Sequence, residues 1–477
     1  MKATPIQQEQ TLESEAEGVR QTEQRAASDR STAKILVKSS ASVFAAQVIL
    51  LVCGLTNNFL VARLLNREGK GVVFLLQVIS SIGFIVLQGG LGPASVFYLR
   101  RHSNFTQQEI ASANLMPSLT LGFIPVLCCL LVWPWLPRMI PAGMTPGLVL
   151  VSMLAVPGLI IAFHAGYFCL GQQRTSGYNF YRVLQPALFS LFLVGLLFTS
   201  SRTVTVVTIL WLISNLLPII PAISTFLSAG AKLFGFSRKF LREAFAFGFQ
   251  SQLGSVTQFL QHRVDVLLVG YFLAIRDVGL YSVAVTIAEL LWYVPYAVGP
   301  VLLPHIAASS EEHARRVTPA FCRACLALNT FLGLVLFSAS AILIPIILPA
   351  FRASIPVLWL LFPGTVFATL FKILSADFTG RGRPLDAFYP AFAALLLEGV
   401  AGIFVISRYG ISGAAILVSA AYMFNSAASV WLYCRSNRVP PIRLLLPQAE
   451  DFHMIAFLWT YAIDRIGSRA TRVRSAA

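Results

Sequence analysis

Ionisable and amide side chains interrupt the otherwise apolar stretch of residues 246–272. Five positions at near-helical spacing would share one face of a helix: Gln250, Gly254, Gln258, Gln261 and Asp265. Arg263 is two residues before Asp265, so the two cannot face each other on one helix. A charge at the centre of a bilayer costs at least about 2.5 kcal/mol. We therefore expect this stripe to face protein or water, either lining a cavity or in a structural contact with another helix.

Two carboxylates in apolar stretches, Asp265 and Glu289, are candidates for binding a coupling ion. A carboxyl group in a low-dielectric site can load and release a proton near neutral pH, and a sodium ion is the alternative. No cofactor and no metal site is expected. Cys322 and Cys325 form an isolated CxxC with no second pair and no suitably placed histidine, so we interpret them as ordinary helix positions.

The composition explains why these charges are unusual. Hydrophobic residues make up 56% of the 477 residues and charged residues only 12%, about half the charge of a soluble domain. The apolar runs predict an all-α integral membrane protein with about twelve spans, since about 20 apolar residues cross a bilayer. We predict the spans at residues 39–62, 72–98, 112–136, 147–170, 178–199, 203–228, 246–272, 280–307, 317–349, 353–378, 386–407 and 411–434.

Basic residues are concentrated in the breaks between spans. The formal net charge of +16 is therefore not expected to bind nucleic acid, which needs a basic face or arm. Alternate breaks hold twelve and eight basic residues, the larger number on the side of both termini. Membrane proteins keep more Lys and Arg on the cytoplasmic side, so both termini are predicted to be cytoplasmic.

The two ends of the chain are predicted to lie outside the spans. Residues 1–34 are polar and lack an apolar core, which predicts a disordered cytoplasmic tail. Residues 436–477 are predicted to be a second cytoplasmic tail. The apolar run from Phe452 to Ile463 within it is too short to cross a bilayer and favours an interfacial amphipathic helix.

The chain contains an internal repeat. Gly71 and Gly279 stand in similar turns at an offset of 208 residues, and Pro93 and Pro300 are 207 apart. Gly171 and Gly380 are 209 apart, in similar Gly/Arg turns. We predict two six-helix bundles, residues 35–230 and 231–435. Because six is even, they are parallel repeats about an axis along the membrane normal, with a central cleft between them.

The repeat pairs polar residues of the two halves. The same offset relates Asn57 to Asp265, and His164 to Lys372. Polar groups at equivalent depth in both halves are expected to face a shared axis. We therefore predict that Asn57, the adjacent Asn58 and His164 line the cleft together with Gln250, Gln258 and Gln261.

Two motifs carry a family resemblance. The first is the turn Arg63-Leu-Leu-Asn-Arg-Glu-Gly-Lys-Gly71 between spans, and the second is Asp265-Val-Leu-Leu-Val-Gly-Tyr-Phe followed by Asp277-Val-Gly-Leu-Tyr-Ser-Val-Ala284. Residues 35–435 resemble the polysaccharide-transport branch of the multidrug/oligosaccharidyl-lipid/polysaccharide (MOP) exporter superfamily, whose members are similar to Wzx-type flippases. The resemblance implies translocation of undecaprenyl-diphosphate-linked oligosaccharide across the bacterial inner membrane by alternating access, for surface polysaccharide biosynthesis. It also implies membrane lipids, the lipid-linked glycan and glycan assembly proteins as partners.

For such a substrate, the diphosphate most needs help from the protein to cross. The arginine fork makes two parallel hydrogen bonds to phosphate oxygens. We expect Arg63 and Arg263 to bind the diphosphate, with Arg182 or Lys372 as partners nearer the cytoplasm. Arg63 stands at the end of a span, so an interfacial side chain that reaches towards the headgroups is an equal alternative.

Two other functions remain as alternatives. A membrane glycan polymerase or ligase would need a sizeable outer loop, but no predicted outer loop exceeds roughly a dozen residues, and no hydrolase motif is present. The chain is therefore not expected to be an enzyme. An ion-coupled multidrug or cation antiporter of the same superfamily would be expected to carry acids in the first span, where this chain has Asn57 and Asn58.

Overall fold

The computed structural model describes residues 5–100, 105–141, 143–233, 235, 237–308, 311–446 and 448. Side chains are described from residue 42 onward, except at residues 44, 250–251, 300–301, 304–305 and 307–308. No strand occurs within these ranges. The helices are α1 (Pro5–Leu87), α2 (Leu91–Arg100), α3 (Gln107–Gly122), α4 (Ile124–Leu131), α5 (Leu136–Met139), α6 (Pro146–Met153), α7 (Val156–Gly171), α8 (Thr175–Leu196), α9 (Val204–Leu216), α10 (Ile219–Ser228), α11 (Arg238–Gln261), α12 (Val264–Phe272), α13 (Ile275–Glu289), α14 (Tyr293–Ala308), α15 (Glu311–Ile347), α16 (Ser354–Gly380), α17 (Leu385–Asn437) and α18 (Ile442–Leu445).

Nine helical stretches in the described part of the chain are long and apolar enough to cross a membrane. The two longest, the 43 residues of Ala45–Leu87 and the 53 residues of α17, would extend about 65 and 80 Å at about 1.5 Å per residue, far more than one crossing needs. Each contains one non-helical residue, Asn66 (φ 58°) and Gly410 (φ 62°). Each therefore divides there, at a predicted break between spans. The exact count of twelve spans stays a prediction.

Two predicted spans of the second half are broken near their middle. The seventh is divided between α11 and α12 at His262 and Arg263. The eighth is divided between α13 and α14 by a 3₁₀ turn over Leu290–Trp292. Pro295 accounts for the second break, since proline has no N–H to donate and its ring clashes with the carbonyl of the residue four positions earlier. Each break interrupts the regular α-helix within a predicted span.

The two predicted six-helix halves are in close backbone contact at repeat-related glycines. A Cβ added at Gly71 would lie 2.9 Å from the Gly279 amide nitrogen and closer still to the Ile275 carbonyl oxygen. A Cβ added at Gly279 would in turn collide with the Arg67 carbonyl. Only glycine therefore permits this crossing of α1 and α13.

The termini differ from the prediction at one end. α1 begins at Pro5, so residues 5–34 are helical where the composition predicted a disordered tail. The segment is rich in Glu, Gln, Ala and Arg, which are good helix formers even in a polar sequence. The predicted interfacial helix at residues 452–463 lies outside the described residues.

Candidate functional site

An ion pair joins the two helix breaks of the second half. The Arg263 guanidinium donates two parallel hydrogen bonds to the Glu289 carboxylate, Nη1 to Oε1 at 2.5 Å and Nη2 to Oε2 at 3.1 Å. Arg263 lies in the break between α11 and α12, and Glu289 ends α13 at the 3₁₀ turn. The two side chains are 20% and 23% exposed. The fork geometry and partial burial make this a strong contact.

Lys372 of α16 lies beside this ion pair and is buried. Its Nζ is 3.1 Å from the Tyr296 hydroxyl and 3.4 Å from His262 Nε2. The ammonium also stands 4.1 Å from the centre of the Trp292 ring. Among the described residues it forms no ion pair with a carboxylate. The groups in contact with its ammonium are neutral or aromatic, so Lys372 can still pair with an anion.

A cavity of about 450 Å³ opens at Lys372. Gln258 of α11 and Tyr296 of α14 form part of its wall. We call Arg263, Glu289, Lys372, Tyr296 and Gln258 the basic cluster. Because Arg263 and Glu289 neutralise each other, Lys372 is the basic group of the cluster that has no carboxylate partner among the described residues. Gln258 and Lys372, two residues predicted at the cleft, line this cavity, whereas Arg263 pairs with Glu289. Their place at a cleft between the halves stays a prediction.

The pairing changes the interpretation of Glu289. The sequence treated it as an independent carboxylate for a coupling ion, but both of its oxygens accept hydrogen bonds from Arg263. Glu289 therefore supplies the structural contact with another helix that the sequence left open as an alternative to a cavity role for Arg263. Sequence spacing could not reveal this because Arg263 and Glu289 are 26 residues apart and lie on different helices.

Two further carboxyl groups, those of Asp265 and Glu398, are buried in the second half. The Tyr281 hydroxyl donates to Asp265 Oδ2 at 2.5 Å. Glu398 of α17 is fully buried, and neither of its oxygens nor Asp265 Oδ1 has a hydrogen-bond partner in the described structure. Glu398 interacts electrostatically with Asp265. We call Asp265 and Glu398 the acid pair. Two ionised carboxylates are not expected side by side in an apolar interior unless a proton or cation lies between them.

The repeat relates the acid pair to a neutral pair in the first half. Asn57 corresponds to Asp265 and Ser190 to Glu398, both at an offset of 208 residues. The Ser190 hydroxyl donates to Asn57 Oδ1 at 2.8 Å, and Asn57 Nδ2 donates to the Pro186 carbonyl at 3.1 Å. Asn57 thus contacts residues of the first half, and Asp265 contacts Tyr281 of the second. Their place at a shared cleft stays a prediction.

Asn58 lies where the two halves meet. Its Oδ1 accepts from Lys70 Nζ at 2.6 Å and from Thr286 Oγ1 of α13 at 3.2 Å. Lys70 is 2% exposed and also lies over the Phe74 ring. Asn58 was predicted at the cleft, and it does contact both halves. The structure adds Lys70, a buried basic side chain that contacts Asn58.

The remaining predicted residues lie elsewhere. His164 is a core histidine of the first half, with its ring nitrogens 2.6 Å from Ser118 Oγ and 3.0 Å from the Gln88 carbonyl. Arg63 is exposed at the end of its span, which favours the interfacial alternative. Gln261 accepts from Asn425 at 3.0 Å within the second half. The side chain of Gln250 lies outside the described residues.

Arg182 belongs to the first half, where its Nη2 donates to Gln47 Oε1 at 3.0 Å. It lies over the Tyr178 ring at 5.3 Å and lines a separate cavity there. Arg182 is therefore not part of the basic cluster.

Sequence reasoning overlooked Glu398 and Lys70. Glu398 is the one acid within the predicted span 386–407 apart from Asp386 at its first position, so the rule that flagged Asp265 would also have found it. Lys70 was assigned to a break between spans, where basic residues are common. No group of three or more His, Cys, Asp or Glu that could hold a metal ion occurs in the described part of the chain.

The family model described as polysaccharide biosynthesis protein matches residues 60–350. A curated relative, an uncharacterised membrane protein of Methanocaldococcus jannaschii, is 24% identical over 202 residues. That match covers 41% of this chain and 40% of the relative, so it spans about two fifths of the relative's length.

Solved transporter structures share the fold. An inward-facing multidrug-resistance MATE family transporter of the MOP superfamily superposes with a TM-score of 0.68 at 17% identity, covering 84% of this chain and 98% of the other. The lipid II flippase MurJ, in an inward closed conformation, gives 0.65 at 14% identity, covering 83% and 87%. At these identities the likeness shows the fold alone. The match of the family model, over more than half of the chain, shows that the chain belongs to the polysaccharide biosynthesis protein family, and its fold is shared with the MATE transporter of the MOP superfamily and with MurJ.

Proposed function

We propose that this protein is a flippase that moves undecaprenyl-diphosphate-linked oligosaccharide across the bacterial inner membrane for surface polysaccharide biosynthesis. The observation that carries the proposal is that Lys372 is buried, lines a cavity and forms no ion pair with a carboxylate of the described residues. The two halves would open alternately to either side, with both termini cytoplasmic. Glycan assembly proteins are the expected partners.

The chemistry of the basic cluster suits a lipid diphosphate. Moving the diphosphate charge through the bilayer is the costly part of the reaction, because the glycan can follow a watery path and the lipid tail can stay in the membrane. Lys372 would supply the first positive charge. Arg263 could exchange its carboxylate partner for a phosphate, since its fork fits both. The Tyr296 hydroxyl beside Lys372 can donate a further hydrogen bond.

The test is flipping of lipid-linked oligosaccharide by reconstituted protein carrying Lys372→Met or Lys372→Arg. We expect Lys372→Met to lose most of the flipping rate and Lys372→Arg to keep part of it, because only the second retains the charge. Arg63→Met is the matched control, since Arg63 is exposed and should be dispensable. Wild-type rates in Lys372→Met would contradict the proposal. So would a gene knockout that leaves the surface polysaccharide and its lipid-linked precursor unchanged.

We further propose that the acid pair couples transport to a proton or sodium gradient. Binding of either ion would neutralise the charge shared by Asp265 and Glu398. The sequence suggested Glu289 for this role, but its bond to Arg263 makes Glu398 the better candidate. In vesicles, Asp265→Asn and Glu398→Gln should abolish the dependence of flipping on the gradient. If both variants respond to pH and sodium gradients as the wild type does, the coupling hypothesis fails.

A drug or cation antiporter remains the second candidate, because the same fold serves multidrug transporters and the acid pair could attract a cation. Ethidium efflux from cells expressing the protein distinguishes the two. Efflux that depends on Asp265, in a strain whose surface polysaccharide is normal without the gene, would favour the antiporter.

A further inference from the structure

A second cavity lies wholly within the first half. Its volume is about 370 Å³, and its walls come from α1, α7, α8, α9 and the residues that join α9 to α10. That volume is within the range of about 300–1,000 Å³ typical of small-molecule sites. None of the residues of the basic cluster or the acid pair lines it. We call it the tyrosine pocket.

Aromatic rings form one continuous wall of the tyrosine pocket. Phe84 and Phe163 meet edge to face at 5.4 Å, and Phe163 lies 4.5 Å from Tyr167. Tyr167 in turn meets Tyr178 at 5.7 Å, also edge to face. Rings of this kind offer flat apolar faces, and the tyrosines add hydroxyl groups at the rim.

Polar groups stand on other walls of the pocket. Gln185 donates from its amide nitrogen to Ser214 at 3.1 Å, which leaves its carbonyl oxygen as an acceptor. Arg182 supplies a cation held against the Tyr178 ring. No Asp or Glu lines the pocket.

This arrangement selects a particular ligand chemistry. The carbonyl oxygen of Gln185 favours a ligand that brings hydroxyl or amide hydrogens. The aromatic wall favours a ligand with a flat C–H face. A pyranose ring has both, since its axial C–H groups form an apolar face and its hydroxyls form the rim. An organic cation is disfavoured, because Arg182 would repel it and no carboxylate would pair with it.

We infer that the tyrosine pocket binds a sugar ring of the glycan headgroup. The inference rests on the proposed flippase function and adds a glycan subsite to it. The diphosphate would be held by the basic cluster in one half and a sugar by the tyrosine pocket in the other. Recognition of the substrate would then depend on both halves.

The test compares two probes on purified full-length protein in nanodiscs: undecaprenyl diphosphate, and the undecaprenyl-diphosphate-linked oligosaccharide isolated from host membranes. We expect the wild type to bind the glycan-bearing lipid more tightly. Tyr167→Ala should reduce that advantage by up to about tenfold, as the upper end of an aromatic contact implies. Tyr167→Phe should keep the stacking contribution, and Tyr389→Ala, at an exposed tyrosine of α17, should change nothing.

A photoreactive residue in place of Phe163 tests where the sugar ring binds. This test does not require Tyr167→Ala to fold correctly. The photoreactive residue should cross-link to the glycan of the intact lipid. Binding of both lipids with equal affinity by the wild type would overturn the glycan subsite and leave the flippase function standing. Failure to bind either lipid would overturn the flippase function itself. If ethidium prevents cross-linking at this position and an excess of the glycan-bearing lipid does not, the pocket would be assigned to an organic cation.

Discussion

The glycine crossing of α1 and α13 gives a direct test of how the two halves move. Replacing Gly71 by alanine places a methyl group 2.9 Å from the Gly279 nitrogen and closer to the Ile275 carbonyl oxygen. Real Cβ atoms essentially never approach another atom within 3.0 Å. The obstacle is backbone and cannot rotate away, so α1 and α13 must separate by on the order of 1 Å, the distance needed to restore ordinary contact.

The size of the effect follows from the cost of overpacking. Inserting a methyl group into a well-packed contact typically costs about 1–3 kcal/mol. That cost applies only to the conformation in which the two halves touch on this side. The population ratio of closed to open protein should therefore fall by about 5-fold to 150-fold, at about 1.4 kcal/mol per tenfold.

Cysteine accessibility measures this shift. Ala62 is 2% exposed and packs against Leu280 and Val283 of α13. A cysteine at Ala62, in a background without the seven native cysteines, should react with an impermeant maleimide only when this side opens. We expect Gly71→Ala to raise the labelling rate at least fivefold.

A matched control lies in the same helix. Gly54 of α1 has no atom within 4 Å of an added Cβ, so Gly54→Ala should label at the wild-type rate. Unchanged labelling in both Gly71→Ala and Gly279→Ala would refute the reasoning. An equal increase in Gly54→Ala would refute it as well, because the effect would then reflect general loosening.

Two further predictions concern stability in detergent. Asp377 is fully buried and accepts a hydrogen bond from Arg381 at 2.8 Å. Breaking a buried ion pair costs about 3–5 kcal/mol, so Asp377→Asn should clearly lower the midpoint of thermal unfolding. Glu312→Gln, at an exposed ion pair, should leave the midpoint unchanged. Asn58→Ala should lower the midpoint more than Lys70→Met does, because the first leaves a buried ammonium without its hydrogen-bond acceptor and the second removes that ammonium. Equal midpoints for Asp377→Asn and Glu312→Gln, or for the two variants at Asn58 and Lys70, would contradict these assignments.

The helical fold was predictable because it depends on local and periodic properties. Apolar length identifies a membrane helix, and the breaks at Asn66 and Gly410 fall where polar residues separate the predicted spans. The 208-residue offset also identified Gly71 and Gly279, which prove to touch each other. The break at Leu290–Trp292 was less evident, since Pro295 acts on a carbonyl one turn before it.

The site was predictable only in part because a sequence does not state which way a helix face points. The offset related Asn57 to Asp265, but it could not show that the hydrogen bonds of each side chain lie within its own half. Charge partners are equally hidden. Arg263 and Glu289 were both recognised as buried charges, yet their mutual bond depends on how two helix breaks meet in three dimensions.

The neutral pair of Asn57 and Ser190 opposite the acid pair of Asp265 and Glu398 has a consequence for the stoichiometry of transport. If the acid pair binds the coupling ion, the corresponding pair in the first half has no carboxylate to bind a second ion. One ion would then enter per cycle. Introducing carboxylates at Asn57 and Ser190 would create a second ion site, and a doubled ion-to-substrate ratio would show that the two halves differ in chemistry more than in mechanics.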